Sequence, residues 1–85
     1  HLFLFIDVVS APYCRLKFEF RTDQNQQLQI EIFNVAGQLI NTSHVNMDGA
    51  EYILSLDINT WPSGMYLVKV TTEGYTTTQQ LVISR

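Results

Sequence analysis

Apolar and polar residues alternate with a period of two along most of the chain, and nowhere with the 3.6-residue period of an amphipathic helix. Leu16, Phe18 and Phe20 alternate with Arg15, Lys17, Glu19 and Arg21, the pattern of a strand with one buried and one wetted face. Beyond a polar turn at 22–27, Leu28, Ile30 and Ile32 repeat the pattern against Gln29 and Glu31. At Phe33 and Val35 the apolar residues change face, which predicts either a strand covered on both sides or a bulge. Ala36-Gly37 reverses the chain, since glycine takes positive φ without strain, and Leu39 and Ile40 open an arm toward Val45 and Met47. Asp48-Gly49 is the strongest local turn signal, the dipeptide that a type I′ hairpin prefers. It predicts a hairpin joining that arm to a strand carrying Tyr52, Leu54 and Leu56, with Ile58 in phase.

Trp61-Pro62-Ser63-Gly64 reads as a loop, because proline fixes φ and removes a donor while glycine frees the backbone. The nearly continuous apolar run from Met65 to Val70 predicts a central strand buried on both faces, with Tyr66, Val68 and Val70 toward the core. Glu73-Gly74 turns the chain, and Thr76 to Ile83 returns with Leu81 and Ile83 on one side and Val82 on the other. Six to seven short strands with turns every 8–12 residues or so describe an all-β fold, best read as an Ig-like antiparallel β-sandwich. Eight threonines suit its pleated surfaces.

With 85 residues, the chain has room for one domain, spanning 1–85, in which residues 1–15 are either a first strand or a linker. A chain this short buries only about 60–65% of its unfolded surface, so packing must be efficient. The run Leu2–Ile6 is five apolar residues long, against the ~20 of a membrane-spanning helix, and no stable membrane insertion is expected. It lacks the initiating Met and basic segment of a signal peptide, and a start at His1 reads as the tail of a longer protein.

Net charge is −3, and the nearest approach to a basic cluster, Arg15, Lys17 and Arg21, is interrupted by Glu19. Displacing phosphate counterions takes clustered cations, so nucleic acid is not an expected partner. Cys14 is the only cysteine, which excludes an internal disulfide; on a strand its side chain would point away from that of Arg15, and it reads as inert.

The residues for catalysis are few. His44 sits on a strand with Ser43 on the opposite face, so it lacks an activated nucleophile and reads as solvent-facing. No CxxC, HxxxH or DxDxDG spacing is present, and Glu31, Glu51 and Glu73 are scattered. Neither an enzyme nor a metal or cofactor site is expected. Asn41-Thr42-Ser43 matches a glycosylation sequon, which matters only in a eukaryotic secretory pathway. Trp61 and Tyr66 would form a sugar-stacking platform if exposed; the alternative is that Trp61 plugs one end of the sandwich and Tyr66 lies in the core.

Three stretches resemble one family. Ile30 to Ile40 (IEIFNVAGQLI) carries Asn34, Gly37 and Gln38 in an Ile-aromatic-Asn-x-x-Gly-Gln turn. Pro62, Gly64, Tyr66, Val68, Lys69 and Val70 follow a Leu-Pro-x-Gly-x-Tyr-hydrophobic-Val-Lys-hydrophobic pattern, with Trp61 in place of Leu. Leu81, Val82, Ile83 and Arg85 form a terminal apolar strand closed by a basic residue. In this order over residues 28–85, they resemble the C-terminal sorting domain, type A, of type IX secretion (Por secretion) cargo in Bacteroidota. Two positions depart from the pattern: Ser10-Ala11-Pro12 replaces the usual Pro-Asn-Pro opening, and Gln79-Gln80 stand where lysines are common.

The resemblance implies an Ig-like module at the end of a secreted protease, adhesin or glycanase. It would act as an address read by the outer-membrane secretion machinery, which delivers the cargo through periplasm and outer membrane to the surface or medium. Such domains are usually cleaved once the cargo is anchored to lipopolysaccharide or released. Recognition is expected of Gly64, Tyr66, Lys69, Val70, Leu81, Val82, Ile83 and Arg85, which match the motifs, and of Gly74, whose turn sets the register of the last strand, on a final hairpin whose edge could accept a receptor strand. The implied partners are that machinery and an N-terminal cargo domain. A structural Ig-like or fibronectin-like spacer, or a carbohydrate-binding accessory module, are the alternatives.

Overall fold

The computed structural model describes residues 2–9 and 12–84, all in strands, turns and loops. Among the described residues there are seven strands: β1 (Leu2–Val9), β2 (Arg15–Thr22), β3 (Gln26–Asn34), β4 (Leu39–Met47), β5 (Glu51–Asp57), β6 (Gly64–Thr72) and β7 (Tyr75–Ile83). They form a three-stranded sheet, β1-β2-β5, and a four-stranded sheet, β4-β3-β6-β7, in which every pairing is antiparallel. The expected sandwich is present, and its first strand lies within the stretch that sequence left open between strand and linker. In the Ig constant arrangement the fourth strand joins the strands that β1, β2 and β5 correspond to; here β4 pairs with β3 instead.

The core lies where the central strands of the two sheets face each other. Leu16, Phe18 and Phe20 of β2 are fully buried, as are Ile30 and Ile32 of β3 and Val68 and Val70 of β6. The rings of Phe18 and Phe20 stack with centroids 6.1 Å apart. On the outer face of β2, Lys17 stands opposite Asp7 in register, Arg15 opposite Asp57 and Arg21 opposite Glu51. The cations are thus interleaved with carboxylates across three strands.

Three strands cannot cover four, and the uncovered area follows a diagonal. On β4 the inward residues Val45 and Met47 are buried, while Asn41 and Ser43 are only half-buried and bond to each other (Oγ to Oδ1, 3.2 Å). On β7 the buried pair is at the other end: Leu81 and Ile83 are covered, whereas Tyr75, Thr77 and Gln79 on the same face are exposed. Twisted sheets packed about 30° apart leave opposite corners bare in this way. The sequence agrees, since those corner positions are mostly polar.

Three local expectations are corrected. Asp48-Gly49 does not close a hairpin: β4 and β5 belong to different sheets, and the segment between them is a corner. Gly49 has no positive φ, which a type I′ turn requires, and the Thr22 amide donates to the Ala50 carbonyl at 2.9 Å, tying the corner to β2. β5 instead pairs with β2 from Arg15–Asp57 to Arg21–Glu51. Met65 to Val70 is central but not buried on both faces, because no layer covers the outer side of the four-stranded sheet; Met65, Leu67 and Lys69 are exposed. Cys14 is not in a strand but precedes β2 with φ of 47°. The bulge expected near Phe33 exists, as a register shift between Ile32 and Phe33 opposite β4. Ser10, Ala11 and Arg85 lie outside the described residues.

Val68 is fully buried between β3 and β7, so Val68→Asp places an unpaired carboxylate in the core, at a cost of several kcal/mol. Thermal or urea unfolding should show loss of the cooperative transition; a parent-like melt would contradict this packing.

Candidate functional site at the turn end of the four-stranded sheet

The Asn34-Val35-Ala36-Gly37-Gln38 turn joins β3 to β4 and is built by one asparagine. Its carbonyl accepts from Gly37 N–H (3.0 Å), closing a turn after which Gly37 takes φ of 82°. The Asn34 amide donates to the Gln38 carbonyl at 3.0 Å, which makes a three-residue hairpin loop with glycine in the left-handed position. Asn34 Oδ1 accepts from the amides of Ala36 and Gln38, each at 3.0 Å, and Nδ2 donates to Gln38 Oε1 at 2.8 Å. Asparagine suits this place because its short amide mimics a backbone turn. The first motif is therefore a clamp on the β3–β4 register.

The second motif supplies the adjoining loop. The Tyr66 ring is 4% exposed, and its hydroxyl donates to the Pro62 carbonyl at 2.6 Å, which satisfies the polar tip of a core residue. Trp61 packs against the core with its ring 5.5 Å from that of Tyr66, while its amide donates to the Ile58 carbonyl at 3.0 Å. The Ile58 amide donates in turn to the Cys14 carbonyl at 3.0 Å. Trp61 is thus the expected end-plug, and a sugar platform of Trp61 with Tyr66 is not displayed.

The residues that sequence placed in recognition divide into two groups. Tyr66, Val70, Leu81 and Ile83 are core, so they shape the surface from beneath. Gly64 and Lys69 are exposed on β6, Val82 is 61% exposed on β7, and Gly74 forms the β6–β7 turn with φ of 99°. Arg85 lies outside the described residues. Lys69 stands opposite Glu31 on one side and Thr78 on the other, all on the outer face.

Sequence reasoning missed other members of this surface. Phe33 stands in register with Leu39 on one side and Leu67 on the other, and Met65 with Val82 in the adjacent row. All five face outward. The signal was available: Met65 and Leu67 break the alternation of their strand, and Phe33 sits where the apolar phase changes. Among the described residues, no group of three or more His, Cys, Asp or Glu could hold a metal ion. What this surface presents is apolar side chains and strand backbone.

The sequence model of a family described as a secretion system C-terminal sorting domain matches residues 14–84. It covers the first two motifs and the third as far as Ile83, short of Arg85, and reaches back across β2, which carries none of them. A comparison with curated proteins finds no match.

Two measurements check this end of the molecule. Asn34→Ala removes three side-chain hydrogen bonds and should cost about 1–2 kcal/mol by urea denaturation, with Tyr66→Phe costing about 1 kcal/mol. The fluorescence of Trp61 should resist iodide quenching in the folded chain and become fully quenchable in urea; ready quenching without denaturant would contradict its packing.

Proposed function

Because the chain belongs to the family of type IX secretion C-terminal sorting domains, we propose that it is a non-catalytic address read by the outer-membrane machinery from its folded β6–β7 hairpin. Membership implies delivery to the cell surface or the medium and attachment to a cargo. In this reading the cargo lies N-terminal to the domain and crosses by way of the periplasm. Lys69 and Val82 touch the receptor, Gly64 and Gly74 set the backbone on which they stand, and Tyr66, Val70, Leu81 and Ile83 hold the hairpin in shape.

The observation that supports the hairpin is the exposure of β7. Six consecutive residues, Tyr75 to Gln80, are exposed on both faces, and among the described residues β7 has only β6 beside it. Natural edge strands are commonly blunted by charge, proline or a bulge. This stretch contains no charged residue and no proline, so its free backbone groups are open to an added strand.

The test is a reporter carrying this chain at its C-terminus in a type IX-competent bacterium, beside the bare reporter and a version lacking Thr78 to Arg85. Export is expected of the first alone, since the deletion removes Leu81 and Ile83 from the core along with half the edge. Equal export of all three, or of none, would leave the spacer reading ahead. Gly74→Ala should weaken the hairpin by about 1–2 kcal/mol, because its φ of 99° strains any residue with a Cβ although nothing lies within 4 Å; export should fall with the melting temperature.

A further inference from the structure

The outer face of the four-stranded sheet is polar over most of its area and apolar at one end. Away from the turns it presents Gln27, Gln29, Thr71, Thr76 and Thr78. At the turn end it presents Leu39, Phe33 and Leu67 in one row across β4, β3 and β6, with Met65 opposite Val82 in the next. Leu39 is 52% exposed, Met65 44% and Leu67 37%. This row runs into an open groove of about 310 Å³ between the Asn34–Gln38 turn and the Pro62–Gly64 loop, lined by Val35, Ile40, Pro62 and Met65 among others. Both turns that define the groove are family motifs.

We propose that this patch and groove are the docking face for an apolar, uncharged protein surface of the secretion machinery. The proposal rests on the sorting reading above and names the chemistry of its receptor. Charge argues for an apolar partner. Among the described residues, the only Asp, Glu, Lys or Arg on the outward strand positions of this sheet are Glu31 and Lys69, which stand opposite each other, so the face itself carries no net charge to match a charged partner. Area argues against a second copy of the chain. Four exposed side chains with the partly buried Phe33 amount to a few hundred Å², on the order of the largest patch a monomer carries, whereas a stable interface takes roughly 800 Å² per partner. A face of this size holds briefly and releases, as an address that is read and passed on must do. It also adjoins β7, so a strand added at that edge would bring its own side chains over Val82.

The test is Leu67→Thr with Val82→Thr in the same reporter fusion. Both positions are exposed, and threonine keeps strand propensity while removing apolar area. A matched control, Phe5→Thr with Ile53→Thr, removes exposed apolar area from the outer face of the other sheet, where these two residues flank Glu19 in register. Export of the patch variant should fall at least tenfold while its melting temperature stays at that of the parent and the control exports normally. If the patch variant melts lower, Leu39→Thr with Met65→Gln replaces it under the same criterion. Undiminished export of the stable variant, with the parent chain exported well above the bare reporter, overturns the docking face and the receptor contact assigned to Val82, and leaves standing the reading of the chain as a sorting address. A parent chain exported no better than the bare reporter overturns both. Self-association of the purified chain, or its binding to neutral phosphatidylcholine vesicles, overturns the assigned occupant if Val82→Thr abolishes it.

Discussion

The contact on which everything else rests is the one between β2 and the β3–β6 pair. Seven side chains meet there with no exposure at all, four from one sheet and three from the other. No disulfide can share the work, since Cys14 has no partner thiol in the chain. Each strand therefore has to hold its alternation, because a slip of one residue would turn an entire apolar row toward water. The turns accordingly carry the most specific chemistry in the molecule. Asn34 closes one with backbone and side chain together, and Gly74 permits another by its positive φ. The family motifs read first of all as devices that fix register, and only through register as features of a surface.

Much of this was legible in the amino-acid sequence. The one-sided strands β2 and β3 were visible because their polar residues are strongly polar. The turns at Gly37 and Gly74 were visible because glycine there answers a backbone demand that few other residues meet. Asp48-Gly49 misled for a physical reason: a dipeptide that tolerates a hairpin turn also tolerates a corner, and what decides between them is which partner strand is free. Here β2 offers β5 a full register of seven pairs, and β4 is already paired with β3. Local propensity cannot see that competition.

The site was less legible than the fold. Motif matching picked out Tyr66, Val70, Leu81 and Ile83 alongside Val82, but a motif does not say which face a residue takes; burial separates the four from the one. The run Met65 to Val70 concealed the patch, since an outward Met and Leu look like core when no sheet order is known. The same strand thus serves two ends by parity. Its even-numbered residues from Tyr66 to Val70 hold the fold, and Met65, Leu67 and Lys69 are free to meet something else.

The edge position of β1 has a mechanical consequence. Its inward residues Leu2, Leu4, Ile6 and Val8 pack on the core but are only half-buried, and among the described residues its one strand neighbour is β2, paired antiparallel. A pull that draws Leu2 sideways from Thr22 would load its backbone hydrogen bonds one after another, as a zipper opens, and not all together. The three-stranded sheet would then shed one strand while β2 and β5 stay in place.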